Sequence, residues 1–98
     1  MSWENSIKEF KYYLKVERSL ADNSVNAYIR DIRKLAVFGS KIKVNELNIS
    51  VNEIREFIAN LNSKNISARS QARIISGVKA FFKYLIIEDY ITNDPSML

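Results

Sequence analysis

Apolar residues recur at helical spacing in four separate stretches of the chain, and no stretch alternates as a half-buried strand would. In the first stretch Ile7, Phe10 and Leu14, joined by Trp3, fall on one side, while Lys8, Lys11 and Lys15 take the other. That spacing predicts a helix from about Trp3 to Val16. The turn Arg18-Ser19-Leu20-Ala21-Asp22-Asn23 follows, with Asp22 and Asn23 available as caps for a second helix over Ser24–Phe38. There Val25, Ile29, Ile32 and Ala36 form the apolar stripe, flanked by Tyr28 and Leu35. Asn26, Arg30, Arg33 and Lys34 lie opposite. Gly39 reads as a left-handed terminator.

Lys41 to Asn48 is expected to connect. Ser50-Val51-Asn52-Glu53 has the form of a capping box, in which Ser50 and Glu53 each satisfy a backbone N–H of the other. The third helix turns Val51, Ile54, Phe57, Ile58 and Leu61 inward and ends over Asn62–Asn65. Ser67 then caps a fourth helix reaching about Ile87. Ile74, Val78, Phe81, Phe82 and Leu85 share a band about 100° wide, and Arg69, Arg73, Ser76, Lys79 and Lys83 share the far side.

With two Gly, one Pro and no alternating β-branched runs, the chain is expected to be all-α with short connections. Its 98 residues suffice for one domain with one core. The sequence has neither Cys nor His, which excludes disulfides, zinc fingers and imidazole chemistry, and the lack of Cys fits a reducing cytoplasm. No apolar run approaches the ~18 residues of a membrane span. The start, Met-Ser-Trp-Glu-Asn, lacks the pattern of a signal peptide. Thr92-Asn93-Asp94-Pro95-Ser96-Met97-Leu98 disfavours further helix and is expected to be a linker, 92–98, leading from a domain over 1–91 to something longer.

Charge changes this picture. From Glu56 to Glu88 the chain has no acidic residue, yet it carries Lys64, Arg69, Arg73, Lys79 and Lys83. The rest of the sequence holds ten Lys/Arg against eleven Asp/Glu. A solvated helix face normally mixes signs, so a uniformly cationic one points to a polyanion, with nucleic acid first. The fourth helix begins with Ser67, Arg69, Ser70 and Arg73, and the second offers Asn23, Ser24, Asn26, Arg30 and Arg33. Helix starts present free N–H groups to phosphate, and Arg can grip phosphate or guanine with two parallel hydrogen bonds. With no apolar stripe on its face, Arg73→Ala is expected to weaken binding and leave the fold intact.

Other readings of the same residues stay open. A basic helix face is most often solvated surface, and it can equally meet an acidic protein, making the chain a helical protein-interaction module. RNA binding is disfavoured by the scarcity of exposed aromatic platforms. Tyr28 reads as a half-buried packing residue and Phe81-Phe82 as core. Tyr12, Tyr13, Tyr84 and Tyr90 have no adjacent base or metal set. No catalytic constellation is present, no acidic cluster suggests a metal, and nothing calls for a cofactor.

The residues also carry a resemblance. Phe10-x-x-Tyr13-Leu14-x-x-Glu17-Arg18-Ser19-Leu20 is followed by Asn23-Ser24-x-x-x-Tyr28-x-x-Asp31-Ile32. Then come Ser67-Ala68-Arg69-Ser70-x-x-Arg73-x-Ile75-Ser76, Lys79-x-Phe81-Phe82-x-Tyr84-Leu85 and Asn93-Asp94-Pro95. In order and spacing, over essentially the whole chain, these resemble the N-terminal core-binding (SAM-like) domain of tyrosine recombinases of the phage-integrase family, most closely the Xer type.

The resemblance implies a bundle of four helices in two crossed hairpins, forming one half of a clamp around duplex DNA. A C-terminal catalytic domain would form the other half. It implies DNA contacts from Ser24, Asn26, Ala27, Arg30 and Arg33 on the second helix, and from Ser67, Arg69, Ser70 and Arg73 on the fourth. Lys79 and Lys83 are weaker candidates for phosphate. It also implies other recombinase protomers as partners, met through the first helix. The family's catalytic residues belong to the other domain, so this chain would bind DNA without being an enzyme itself.

Overall fold

The computed structural model describes residues 2–97, and each of the four periodic stretches forms a helix in it. Met1 and Leu98, the ends of the expected domain and linker, lie outside the described residues. Helix α1 spans Trp3–Tyr12 and continues through a π-helical turn over Tyr13–Glu17. Helices α2, α3 and α4 span Asp22–Lys41, Val51–Ser63 and Ala68–Ile87. Among the described residues there is no strand.

The caps explain most of the boundaries. The Ser2 and Ser67 hydroxyls accept from the N–H groups of Asn5 and Ser70, and the capping box between Ser50 and Glu53 is complete. Helix α2 starts earlier than expected. Ala21 stands at its N-cap without a side-chain bond, so Asp22 and Asn23 occupy the first turn instead of capping it. There Asp22 still favours the helix, because its charge faces the positive end of the dipole.

Gly39 does not end α2. It lies inside the helix, and a Cβ there would come within 2.7 Å of Cζ2 of Trp3. Glycine is needed for the close approach of α1, whose Trp3 indole N–H donates to the carbonyl of Val44 at 3.0 Å. The left-handed residue after α2 is Lys43, at φ 61°, and the N–H of Val44 returns to Gly39 O at 2.9 Å. Ser19, Asn65 and Asp89 hold the same conformation beyond the other helices, at φ 52°, 58° and 60°. All four helices therefore turn on non-glycine residues.

Packing assembles two antiparallel pairs, α1 with α2 and α3 with α4, joined along the α2–α4 seam. Phe10, Leu14, Ile32, Leu35, Phe81 and Leu85 are fully buried between them. Phe10 sets its ring edge-on to Phe81, centroids 5.3 Å apart, in the geometry that aromatic quadrupoles prefer. Tyr28 lies half-buried against Phe10, so its packing role holds. At the seam a Cβ on Gly77 would sit 3.5 Å from Asp31 Cβ and 3.7 Å from Tyr28 Cδ1, which shows how closely the two backbones approach.

Two features were not anticipated. Glu46, in the α2–α3 connection, is 1% exposed and lies beside the buried Ser6 of α1. Neither the Ser6 hydroxyl nor the carboxylate makes a well-formed hydrogen bond. At the C-terminus, the Asp94 carboxylate accepts from both the N–H and the hydroxyl of Ser96, at 2.8 and 2.6 Å. This tight turn folds back on the bundle. Pro95 is buried and Ser96 packs beside Ile54, Phe57 and Val78, so this part of the expected linker lies against the core.

Candidate nucleic-acid interface

The seam between α2 and α4 leaves a continuous outer face, and an ion pair lies at its centre. Asp31 is buried, with its side chain 2% exposed, and it receives Arg73 Nε at 2.8 Å and Nη2 at 2.9 Å. The Arg73 side chain stays 48% exposed. Lys34, one turn along α2, adds a contact to Asp31 at 3.6 Å. The hydrogen bonds from Arg73 to Asp31, and then the carboxylate's charge, raise the guanidinium pKa above its ordinary value. Arg73 was expected on a uniformly cationic helix face. The structure gives it a partner in the opposite helix, so a neutral effect of Arg73→Ala on the fold no longer follows.

Around this pair Ser24, Ala27, Tyr28, Asp31, Arg73 and Ser76 line a shallow recess of about 220 Å³. Two predicted α2 positions, Ser24 and Ala27, thus meet a predicted α4 position, Arg73. Arg30 and Arg69 are exposed next to them, on the outward sides of their helices. Ser70 is half-buried, and the Ser67 hydroxyl is engaged as the α4 cap.

Two predicted positions turn away. Successive helical residues rotate by about 100°, so Arg33 lies about 200° round α2 from Asp31. It meets α1, where Nη1 donates to Glu4 at 3.1 and 3.2 Å. Asn26 is exposed on the same outer flank as Arg33. Near the start of α2, Ser24 and Ala27 line the same recess as Arg73 and Ser76 of α4.

Sequence reasoning missed Lys34 and the role of Asp31. The available signal was a lone carboxylate on the polar side of α2, set in a chain whose fourth helix had no acid of its own to pair with. Only the tertiary structure shows that Arg73 is the residue facing it. Ser76 was placed on the cationic side but not singled out. Lys79 and Lys83 are exposed on α4 outside the recess.

An all-α bundle with a basic two-helix face is the class that this geometry defines, and comparison with known proteins narrows it. The family model of the phage integrase N-terminal SAM-like domain matches residues 7–89. The chain belongs to that family. It is 37% identical over 89 residues to the tyrosine recombinase XerD of Rickettsia conorii, covering 91% of this chain and 29% of that protein. Against XerD of Staphylococcus haemolyticus it is 30% identical over 96 residues, covering 97% of this chain and 32% of the relative. Tyrosine recombinase XerC of Leptospira interrogans is 33% identical over 96 residues, covering 97% and 31%. The chain thus spans about a third of the length of these relatives. No helix among the described residues is long and apolar enough to cross a membrane.

Proposed function

We propose that this chain binds duplex DNA as the N-terminal clamp domain of a site-specific tyrosine recombinase, laying the α2–α4 face on one arm of a recombination site. The observation that carries this reading is the face itself. Arg30, Lys34, Arg69 and Arg73 project from two helices packed closely enough to act as one surface. Phosphate neutralised by the exposed Arg30 and Arg69 releases counterions, so affinity falls by about 0.9 log units per log unit of salt for each contact. Half a clamp working alone binds weakly, at roughly the 10⁻⁴–10⁻⁶ M level of non-specific association.

In this reading the strand chemistry comes from the rest of the recombinase in the cytoplasm, and this domain supplies position. The outer strip of α1, where Tyr12 and Val16 are exposed, supplies contact with other protomers. Fluorescence anisotropy with a labelled duplex over a salt series tests the DNA reading. Arg30→Glu and Arg69→Glu should each weaken binding and flatten the salt slope. Lys8→Glu, on the exposed side of α1, should change it little. Equal losses from all three would leave only diffuse charge attraction.

One observation favours a second reading, the protein-interaction module. Lys34, Lys41 and Lys64 rim a cleft of about 320 Å³ floored by Phe38, Phe57 and Leu61, which suits an acidic segment with an apolar anchor. Under that reading, the three glutamate variants would leave partner binding unchanged and Lys41→Glu would abolish it.

A further inference from the structure

We infer that Asp31 is a positioning residue, holding Arg73 so that its free edge reads the O6/N7 edge of a guanine in the major groove. The inference rests on the DNA-binding reading and goes beyond it by assigning sequence discrimination to one pair.

Arg73 meets Asp31 side-on, through Nε and Nη2. Of its five N–H donors, those on Nη1 and the outer one on Nη2 have no protein acceptor among the described residues. These form the end-on fork, two parallel donors that match either a phosphate or the paired acceptors of guanine. A guanidinium on a free side chain samples many orientations; the bidentate bond to a buried carboxylate fixes this one.

Charge decides between phosphate and base. Asp31 bonds Arg73 directly while Lys34 stands farther off at 3.6 Å, so the Arg73–Asp31 pair contributes little to attraction for phosphate while its outward donors remain directional. Arg30 and Arg69 keep their charge free for phosphate on either side. The recess around Arg73 is lined by the small side chains Ser24, Ala27 and Ser76, with Tyr28 beside them half-buried against Phe10, and this lining leaves room for a planar base edge to approach. Asp31 also lies where removing its charge would aid non-specific binding, so a merely structural role and a positioning role predict different outcomes.

Selection from a randomised duplex pool, with salt-dependent affinity for a fixed A·T duplex, tests this on the wild type, Asp31→Asn and Arg73→Lys. The wild type should enrich guanine at one position, roughly tenfold or more. Arg73→Lys should lose that enrichment and retain its affinity for the A·T duplex. Asp31→Asn should also lose it, yet bind the A·T duplex more tightly, with a salt slope steeper by about 0.9. Guanine enrichment that survives both substitutions overturns the inference, as does a uniform loss of affinity in Asp31→Asn with an unchanged slope. If Asp31→Asn does not fold, Arg73→Lys decides alone. A wild type that binds no duplex at low salt removes the DNA reading and this inference together. Binding without guanine enrichment removes only the inference.

Discussion

Arg73 on α4 and Asp31 on α2 clasp each other through two hydrogen bonds of 2.8 and 2.9 Å, so a residue of the candidate interface also joins the two helical pairs. Removing one partner of such a pair leaves the other's desolvation uncompensated. Arg73→Ala should therefore lower Tm, with Lys34, 3.6 Å from Asp31, limiting the loss. The double variant Arg73→Ala/Asp31→Ala should be less destabilised than the sum of the two single variants, because it removes both charges. Thermal melts of the four proteins complete the cycle, and additive losses would show that the pair is not coupled.

Gly39 accommodates the only tryptophan in the chain. A Cβ 2.7 Å from Trp3 Cζ2 must displace the ring or the helix, and overpacking of this kind costs about 1–3 kcal/mol. Gly39→Ala should lower stability by that amount and alter the intrinsic tryptophan fluorescence, since Trp3 would lose its bond to Val44 O. Unchanged emission with unchanged Tm would contradict the packing described.

Lys43 holds φ 61° beyond α2, a conformation that costs a residue with a Cβ about 1–2 kcal/mol. Lys43→Gly relieves that strain but adds freedom to the unfolded chain, at about 0.4–1 kcal/mol. The net expectation is a gain of between zero and about 1.6 kcal/mol, read from urea denaturation. Destabilisation would mean that the lysine stem contributes packing of its own.

The helical pattern made the architecture legible because each apolar stripe is continuous and each polar side is well marked. Ser50 with Glu53, and Ser67, bonded as their sequence positions indicate, since caps are local interactions. The end of α2 was misplaced because glycine serves two purposes, a left-handed turn and a close approach, and only tertiary contact distinguishes them at Gly39. The candidate face was legible as composition but not as pairing. Arg33 and Arg73 look alike on a helical wheel, yet Glu4 and Asp31 reach them from distant parts of the chain.

Glu46 makes stability depend on pH with a definite sign. Burial, the largest influence, raises its pKa above the ordinary 4.5, against a smaller opposing effect of Ser6. The folded state thus binds the proton more tightly than the unfolded state. The carboxyl's contribution is fully present below the ordinary glutamate range and is lost as pH rises through the raised folded value. Glu46→Gln, which stays neutral, should be more stable than wild type at neutral pH and lose this advantage on acidification. Melts over a pH series check this, and a glutamine variant less stable at pH 7 would contradict it.

The central claim is that the α2–α4 face docks on duplex DNA, and an NMR titration of the ¹⁵N-labelled domain with a short duplex tests it most directly. Amide shifts at low salt should gather at Ala27, Arg30, Arg69, Arg73 and Ser76 and fade as salt is added. No shifts, shifts scattered over every lysine, or shifts confined to the cleft around Lys41 and Lys64 would contradict it.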